Sequence, residues 1–235
     1  MKKKNSYRKM LLITIVGAVC ILSLGINTAY GRKNSGGSGK FINQRKTVLT
    51  QEDQTNIIWM CSEEKLARDV YITLGAQWDL TQFKKIARSE QRHMNALKRL
   101  LIIYKLQYPI ENDSVGVFAS EHFQALYDQL TELGANSEID ALIVGATIED
   151  LDIKDLNEFL MQTTNPRVIR TYENLVRGSR NHLRAFVKAL EERNETYTPQ
   201  YISQEEFDEI ISTPMERGRK GIKRGGNSSG RRGNQ

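Results

Sequence analysis

The stretch TQFKKIARSEQRHMNALKRLLIIYKL places Phe83, Ile86, Glu90, His93, Leu97, Leu100 and Tyr104 at alternating three- and four-residue spacing. That is one face of an α-helix, and its apolar stripe is interrupted at mid-length by an E-x-x-H pair. The pair is therefore expected to point inward. A buried carboxylate without a partner costs several kcal/mol, so the helix must supply compensation. A bound metal ion does so, and so does a satisfied core ion pair.

Three more segments repeat the pattern. In SEIDALIVGATIEDLDIKDLNEFL the stripe runs Leu142, Gly145, Glu149, Asp152, Leu156, Phe159, apolar at both ends with two acids between. In NPRVIRTYENLVRGSRNHLRAFVKAL it runs Val168, Tyr172, Leu175, Ser179, His182, Phe186, Ala189. In NIIWMCSEEKLARDVYITLGAQW it runs Met60, Glu64, Ala67, Tyr71, Leu74. Glu63, rotated by about 100° from Glu64, is expected on the solvent side. Between the two halves, ASEHFQALYDQLTELG forms its own amphipathic helix, on which His122 reads as an ordinary residue. Gly134 is placed to close that helix and Ser137 to cap the next, and Asn165-Pro166 marks another stop and start. No strand-like alternation of useful length, Gly-rich phosphate loop or nucleophile turn appears. The pattern predicts an all-α protein.

Four helices with polar residues at the same depth of their buried faces would gather Glu64, Glu90, His93, Glu149, Asp152 and His182 around one interior point. Carboxylate oxygens with imidazoles suit iron or manganese, and also zinc. The strings EEKLARDVY, SEQRHM, GATIEDLDIKDL and RGSRNHLRAF resemble the ferritin-like superfamily of rubrerythrins and ferritins, and within it an exported prokaryotic family of unassigned function; the resemblance covers residues 50–211. It implies a ferritin-like four-helix bundle with an additional helix in the connection between its halves. It also implies a metal pair, two iron ions, in a ligand layout of one Glu from each of two helices and Glu-x-x-His from the other two.

Carried over residue by residue, Glu64 matches the first-helix ligand and Tyr71 the tyrosine that often neighbours it. Glu90 and His93 match the second helix, and Glu149 matches the third. The fourth helix departs from the pattern, with Ser179 where the superfamily shows glutamate, so His182 lacks its usual acid. Asp152 either supplies the absent carboxylate or acts as a cap or hydrogen-bond partner; if it does not reach, a single-metal site is the better description. In this reading Glu64 and Glu149 bridge the metals, Glu90, His93 and His182 fix them, and Tyr71 is a candidate catalytic residue, as hydrogen-bond donor or electron source. The competing reading is a relic bundle whose polar core is held by basic partners. Arg68, Arg92 and Arg180 are the nearest such residues in sequence, all off the inward stripe.

The N-terminus bears on where this chemistry would occur. MKKKNSYRKM carries five basic residues, sixteen uncharged and mostly apolar residues follow, and Ala29-Tyr30-Gly31 precedes a Gly/Ser-rich stretch. The order is that of an export signal over residues 1–31, cleaved after Gly31 or kept as an anchor, with residues 32–49 as linker. Val19 before Cys20 is larger than a lipid-attachment site takes. Cys61, the other cysteine, is then left without an internal partner and reads as a small buried residue.

Residues 41–215 hold 19 basic and 27 acidic residues, net −8, whereas residues 216–235 hold seven basic residues and one acid. The overall +6 thus describes the ends of the chain. The tail from 212 onward, rich in Gly, Arg and Lys, is expected to lack tertiary contacts, as is the region before about 45. The tail suits an anionic envelope surface or is simply solvated. Nucleic acid is a poor partner for an exported protein, and no aromatic residue interleaves the basic ones to stack on bases.

Two function classes follow. One is an exported di-iron oxidoreductase reacting with dioxygen or peroxide; lacking rubredoxin-like paired cysteines, it would need a separate electron donor. The other is a non-catalytic bundle, metal-binding or envelope-associated. A homo-oligomer is compatible with both. Ser179 and Gly145 imply open polar space, which favours the first, and the missing acid favours the second.

Overall fold

The computed structural model describes residues 48–218. The expected export signal, most of the linker and the tail beyond 218 lie outside the described residues. Among those described there are six α-helices and no strand: α1 (Gln51–Gln77), α2 (Thr81–Tyr104), α3 (Glu121–Gly134), α4 (Glu138–Gln162), α5 (Pro166–Glu191) and α6 (Gln204–Ser212). None is long and apolar enough to cross a membrane. The described residues are all-α, as expected.

Local chemistry sets the helix boundaries. Thr50 caps α1 in a reciprocal box: its Oγ1 accepts from Asp53 N at 2.9 Å, while Asp53 Oδ2 accepts from Thr50 N at 3.0 Å. At the other end of the α1–α2 hairpin, Lys105 turns into the left-handed region at φ 58° and stops α2. Ser137 caps α4 by accepting from Asp140 N at 3.0 Å. Asn165 caps α5 ahead of Pro166, accepting from Arg167 N at 3.0 Å.

The four long helices pack in two antiparallel hairpins, α1 with α2 and α4 with α5; α1 also meets α4, and α2 meets α5. The helix in the connection, α3, packs across α1 and α4, and α6 lies on α5. The four predicted stripes all turn inward. Met60, Glu64, Ala67, Tyr71 and Leu74 are fully enclosed, as are Phe83, Glu90 and Leu97, Leu142, Glu149, Asp152 and Leu156, and Val168, Ser179 and Phe186.

One feature departs from the sequence reading. Glu63 is buried, at 3% exposure, where a solvent position was expected. That expectation assumed a helix with one covered face, but α1 is enclosed along much of its circumference. Glu63 faces α4, where Asp155 is the charged group that acts on its carboxyl most strongly. Arg68 is buried too, without reaching the polar centre. It pairs with Asp69, donating from Nε at 2.8 Å, and with Asp113 at 2.7 Å. Lys65, bonded to the same Asp69 and to Ser114 O at 2.9 Å, helps this network clamp the 105–120 connection onto α1.

Contacts also continue past residue 212. Glu216 forms an ion pair with Arg180 at 2.6 Å, and its N–H donates to Asn181 Oδ1 at 2.8 Å, so the first residues of the expected tail are tied to α5. Upstream, Asp150 of α4 gathers the segment before α6. Its carboxylate accepts from the Tyr197 hydroxyl at 2.8 Å and from the backbone N–H groups of Gln200, Tyr201 and Ile202 at 2.5, 3.2 and 2.9 Å.

Candidate metal centre

Glu64 of α1, Glu90 and His93 of α2, Glu149 of α4 and His182 of α5 converge at mid-height of the bundle. Their atoms fall into two sets, Glu64–Glu90–His93 and Glu90–Glu149–His182, each with its ligand atoms within 4.8 Å of one another. Glu90 belongs to both. The expected bridging by Glu64 and Glu149 is therefore not what the geometry gives: each lies in one set only, on opposite sides of Glu90. α2 runs between the other polar faces, and its E-x-x-H spacing leaves one carboxylate facing both histidines.

The contacts form an alternating chain. His93 Nδ1 lies 3.1 Å from Glu64 Oε2 and 2.7 Å from Glu90 Oε2, while His182 Nδ1 lies 2.7 Å from Glu90 Oε1 and 3.4 Å from Glu149 Oε2. The Tyr71 hydroxyl donates to Glu149 Oε1 at 2.7 Å and approaches Gly145 O at 3.3 Å. The two histidine rings stand nearly parallel, 5.7 Å apart.

Despite this closeness, both oxygens of Glu90, Glu64 Oε1, Glu149 Oε2 and His182 Nδ1 lack an aligned hydrogen-bond partner. They point past one another. Two atoms bound about 2.1 Å from one ion and about 90° apart stand about 3.0 Å from each other, and the observed separations bracket that value. The donor set therefore fits two divalent ions that share Glu90.

Burial and the Glu–His contacts shift every group of the centre. Burial raises Glu64 to about 8, with His93 opposing the shift and Glu90 adding to it. Burial likewise raises Glu149, with His182 opposing. Burial would also raise Glu90, but His182 and His93 outweigh it and hold that carboxyl well below the usual range. The histidines respond in kind. Burial pulls His182 down, but Glu90 and Glu149 push it up to about 10, and Glu64 and Glu90 lift His93 in the same way. Without metal, protons held on imidazoles and carboxyls balance this acidic centre. Two divalent ions would replace them, four positive charges against the four carboxylates of Glu64, Glu90, Glu149 and Asp152.

No Arg or Lys ion pair to these four carboxylates occurs among the described residues. Arg68 and Arg180 are engaged elsewhere, so the basic partners of these carboxylates are the two histidines. Asp152 joins neither set. It is fully buried with both oxygens unpartnered, and Glu63 is the charged group that acts on it most strongly.

Ser179 is enclosed, and its hydroxyl donates back to Leu175 O of its own helix at 3.3 Å. Gly145 leaves no open space: a Cβ there would stand 2.5 Å from Phe186 Cε1. Tyr71, Phe83 and Phe186 instead form a mutually packed aromatic wall with centroid separations of 5.1–5.6 Å. Gly178 carries no signal of its role in the sequence. Its missing side chain admits the His93 ring, whose Nε2 would lie 2.5 Å from an added Cβ. Cys61 is buried and free, and burial followed by Glu64 raises its thiol to about 12, consistent with a packing role.

Residues 53–214 match a family model described as Uncharacterized protein domain (DUF2202). The chain is 54% identical over 173 residues to an uncharacterized protein of Methanocaldococcus jannaschii, covering 74% of this chain and 94% of that one. It is also similar to the crystal structure of a hypothetical protein from Methanococcus jannaschii, with TM-score 0.72 and 53% identity over 73% of this chain and 98% of that one.

Proposed function

The chain belongs to the family described as Uncharacterized protein domain (DUF2202), and we propose that it is an exported, ferritin-like metal protein that holds a pair of iron ions and acts as an oxidoreductase on dioxygen or peroxide. The observation carrying this reading is Glu90: each of its oxygens lies 2.7 Å from a different histidine Nδ1 without forming an aligned hydrogen bond. A carboxylate satisfied within a metal-free core would align with its donors. Manganese or zinc fits the same donors.

Iron in such a pair supplies the capacity to exchange electrons with dioxygen or peroxide. The protein's own groups supply position, exclusion of water and protons. Glu90 holds the two sets in register, Glu64 with His93 closes one side, and Glu149 with His182 closes the other. Tyr71 orients Glu149 by donating to it, leaving the other Glu149 oxygen, Oε2, free of any aligned hydrogen bond. The aromatic wall keeps that end dry. Access lies on the opposite side, between α2 and α5, where the side chains of His93 and His182 are each 11% exposed. This edge is the route the reading assigns to a small oxidant, and reducing equivalents would come from a separate donor.

Export rests on the five basic residues and sixteen-residue apolar run at the N-terminus, and the basic tail suits an anionic envelope surface. Mass measurement of the mature chain, with cell fractionation, tests this part. The metal reading is tested by elemental analysis of the purified full chain, followed by anaerobic loading with ferrous iron and exposure to dioxygen or peroxide. Two irons per chain with consumption of the oxidant is the expected result. Ser179, where an acid was expected, favours a second reading: a bundle that binds metal without turnover. Metal uptake with no oxidant consumption would select it, and no uptake of iron, manganese or zinc would defeat both.

A further inference from the structure

At the end of the bundle away from the α1–α2 turn, α1 begins, α2 stops and α4 turns into α5. Two bonds join the hairpins there: Asn56 Nδ2 donates to Gln162 Oε1 at 2.7 Å, and the Tyr104 hydroxyl donates to Asn165 Oδ1 at 3.0 Å. This tip collects bare apolar side chains. Val48 is 86% exposed, Met161 81%, Ile102 66% and Ile103 53%. Of the large apolar residues more than half exposed among those described, only Met215 lies elsewhere. Ile102, Ile103 and Met161 each fall within two residues of a helix end, about 3 Å along the axis. Apolar side chains gathered in one exposed place mark a contact site, whereas scattered ones do not.

Charge at the tip runs against the rest of the domain. Residues 41–215 are net −8, yet Lys105 and Arg167 stand at the tip, all but bordering the apolar residues, and Lys98, Arg99 and Arg170 follow within about 10 Å along their helices. All five are exposed. The exposed acids near this depth are Glu52 and Glu111, and the half-exposed Glu158 is ion-paired with Lys154 at 2.9 Å. Both termini add to the surplus. Residues 1–47, which join the bundle at Val48, hold ten basic residues and no acid. After α6 the chain runs back along α5: Thr213 meets Arg184, Glu216 meets Arg180, and Gly218 lies against Arg177. That order descends toward Pro166, so the chain leaves residue 218 heading for the tip, with six basic residues and no acid still to come.

We propose that this tip seats on the surface of an anionic lipid bilayer, with Val48, Ile102, Ile103 and Met161 entering the boundary between headgroups and acyl chains and the basic side chains meeting lipid phosphates above them. Apolar groups of such interfacial contacts enter about 5–10 Å, which matches the depth of the apolar tip, and basic residues add attraction to the negative surface. No described helix crosses a membrane, so the contact is peripheral. His93, eleven residues before Tyr104, stands about 17 Å from the tip, so the opening between α2 and α5 stays in water. The seat deepens the envelope contact read above and is independent of metal binding.

The test attaches an environment-sensitive fluorophore to the full chain carrying Cys20→Ser, either through Met161→Cys at the tip or through Lys85→Cys near the opposite end. Cys61 is buried and stays unlabelled. Vesicles of phosphatidylglycerol with phosphatidylcholine are compared with phosphatidylcholine alone, and thermal melting verifies the fold of each variant. The label at 161 should shift to the blue on the anionic vesicles and the label at 85 should not. Adding Ile102→Asn and Ile103→Asn should lower the ratio of seated to unseated label by about 10-fold, through the loss of two half-exposed isoleucines to bury. Adding Arg99→Gln and Arg167→Gln should lower it by about 5-fold for each charge on anionic vesicles.

A chain that stays on the vesicles with the label at 161 unshifted would overturn the seat and leave the termini as the envelope contact. Equal shifts at 161 and 85, or an equal shift at 161 on phosphatidylcholine alone, would overturn it too. A shift at 161 that appears without vesicles and grows with protein concentration would assign the face to a second copy of the chain instead. No binding to either vesicle would overturn the seat together with the envelope contact.

Discussion

Replacing Gly178 with alanine separates the metal centre from the fold that carries it. The added carbon would stand 2.5 Å from His93 Nε2 and 2.6 Å from Cε1, where ordinary contact begins at 3.4 Å, so the ring or the helix must yield by about 0.9 Å. Metal–ligand distances tolerate only about 0.2 Å, so His93 cannot keep its place toward Glu64 and Glu90. Displacement of one ligand by a neighbour is expected to weaken Mn²⁺ or Fe²⁺ binding by about 10- to 100-fold.

The bundle itself should suffer little. Gly to Ala within a helix gains about 1 kcal/mol, set against an overpacking cost of about 1–3 kcal/mol. The net loss is then about 0–2 kcal/mol, a fall in Tm of less than about 8 °C for a domain of this size. Circular dichroism melting of the metal-free variant and calorimetric titration with Mn²⁺ would measure the two effects. Unchanged metal affinity in a folded Gly178→Ala protein would refute the claim that the position of His93 against α5 sets the site.

Glu90→Gln should abolish binding of both ions, because the one side chain serves both sets, whereas Glu149→Gln should spare the ion on the Glu64 side; metal counts at saturation distinguish these outcomes. In the folded metal-free chain Glu64 keeps its proton to about pH 8 and His182 to about 10, above the unfolded values of 4.5 and 6.5. The folded state therefore binds more protons across that window, and stability should fall as pH rises from about 5 to 10, read as a declining Tm. Metal affinity should instead rise with pH, since the ligands bind deprotonated. Asp150→Ala would strip the acceptor from three backbone N–H groups and the Tyr197 hydroxyl, so a loss of roughly 3–5 kcal/mol is expected in chemical unfolding, with the metal count retained.

Periodicity alone determined the four inward stripes, and with them the depth at which Glu64, Glu90, His93, Glu149 and His182 sit. Side chains three and four apart share a helix face whatever the rest of the molecule does. The caps at Ser137 and Asn165 were legible for the same reason, being bonds between near neighbours in the chain. Tertiary structure decided what lies between helices. Glu63 became an interior acid because α4 covers a second face of α1, and a stripe analysis sees only one. Glu90, and not Glu64 or Glu149, became the shared carboxylate because α2 faces both histidines. Arg68 was drawn to Asp69 and Asp113, and away from the centre, by a connection more than forty residues downstream. Gly178 matters only through the ring that reaches it from α2. Each of these depends on distances between segments far apart in the chain, set by how whole helices cross, and no local spacing encodes that.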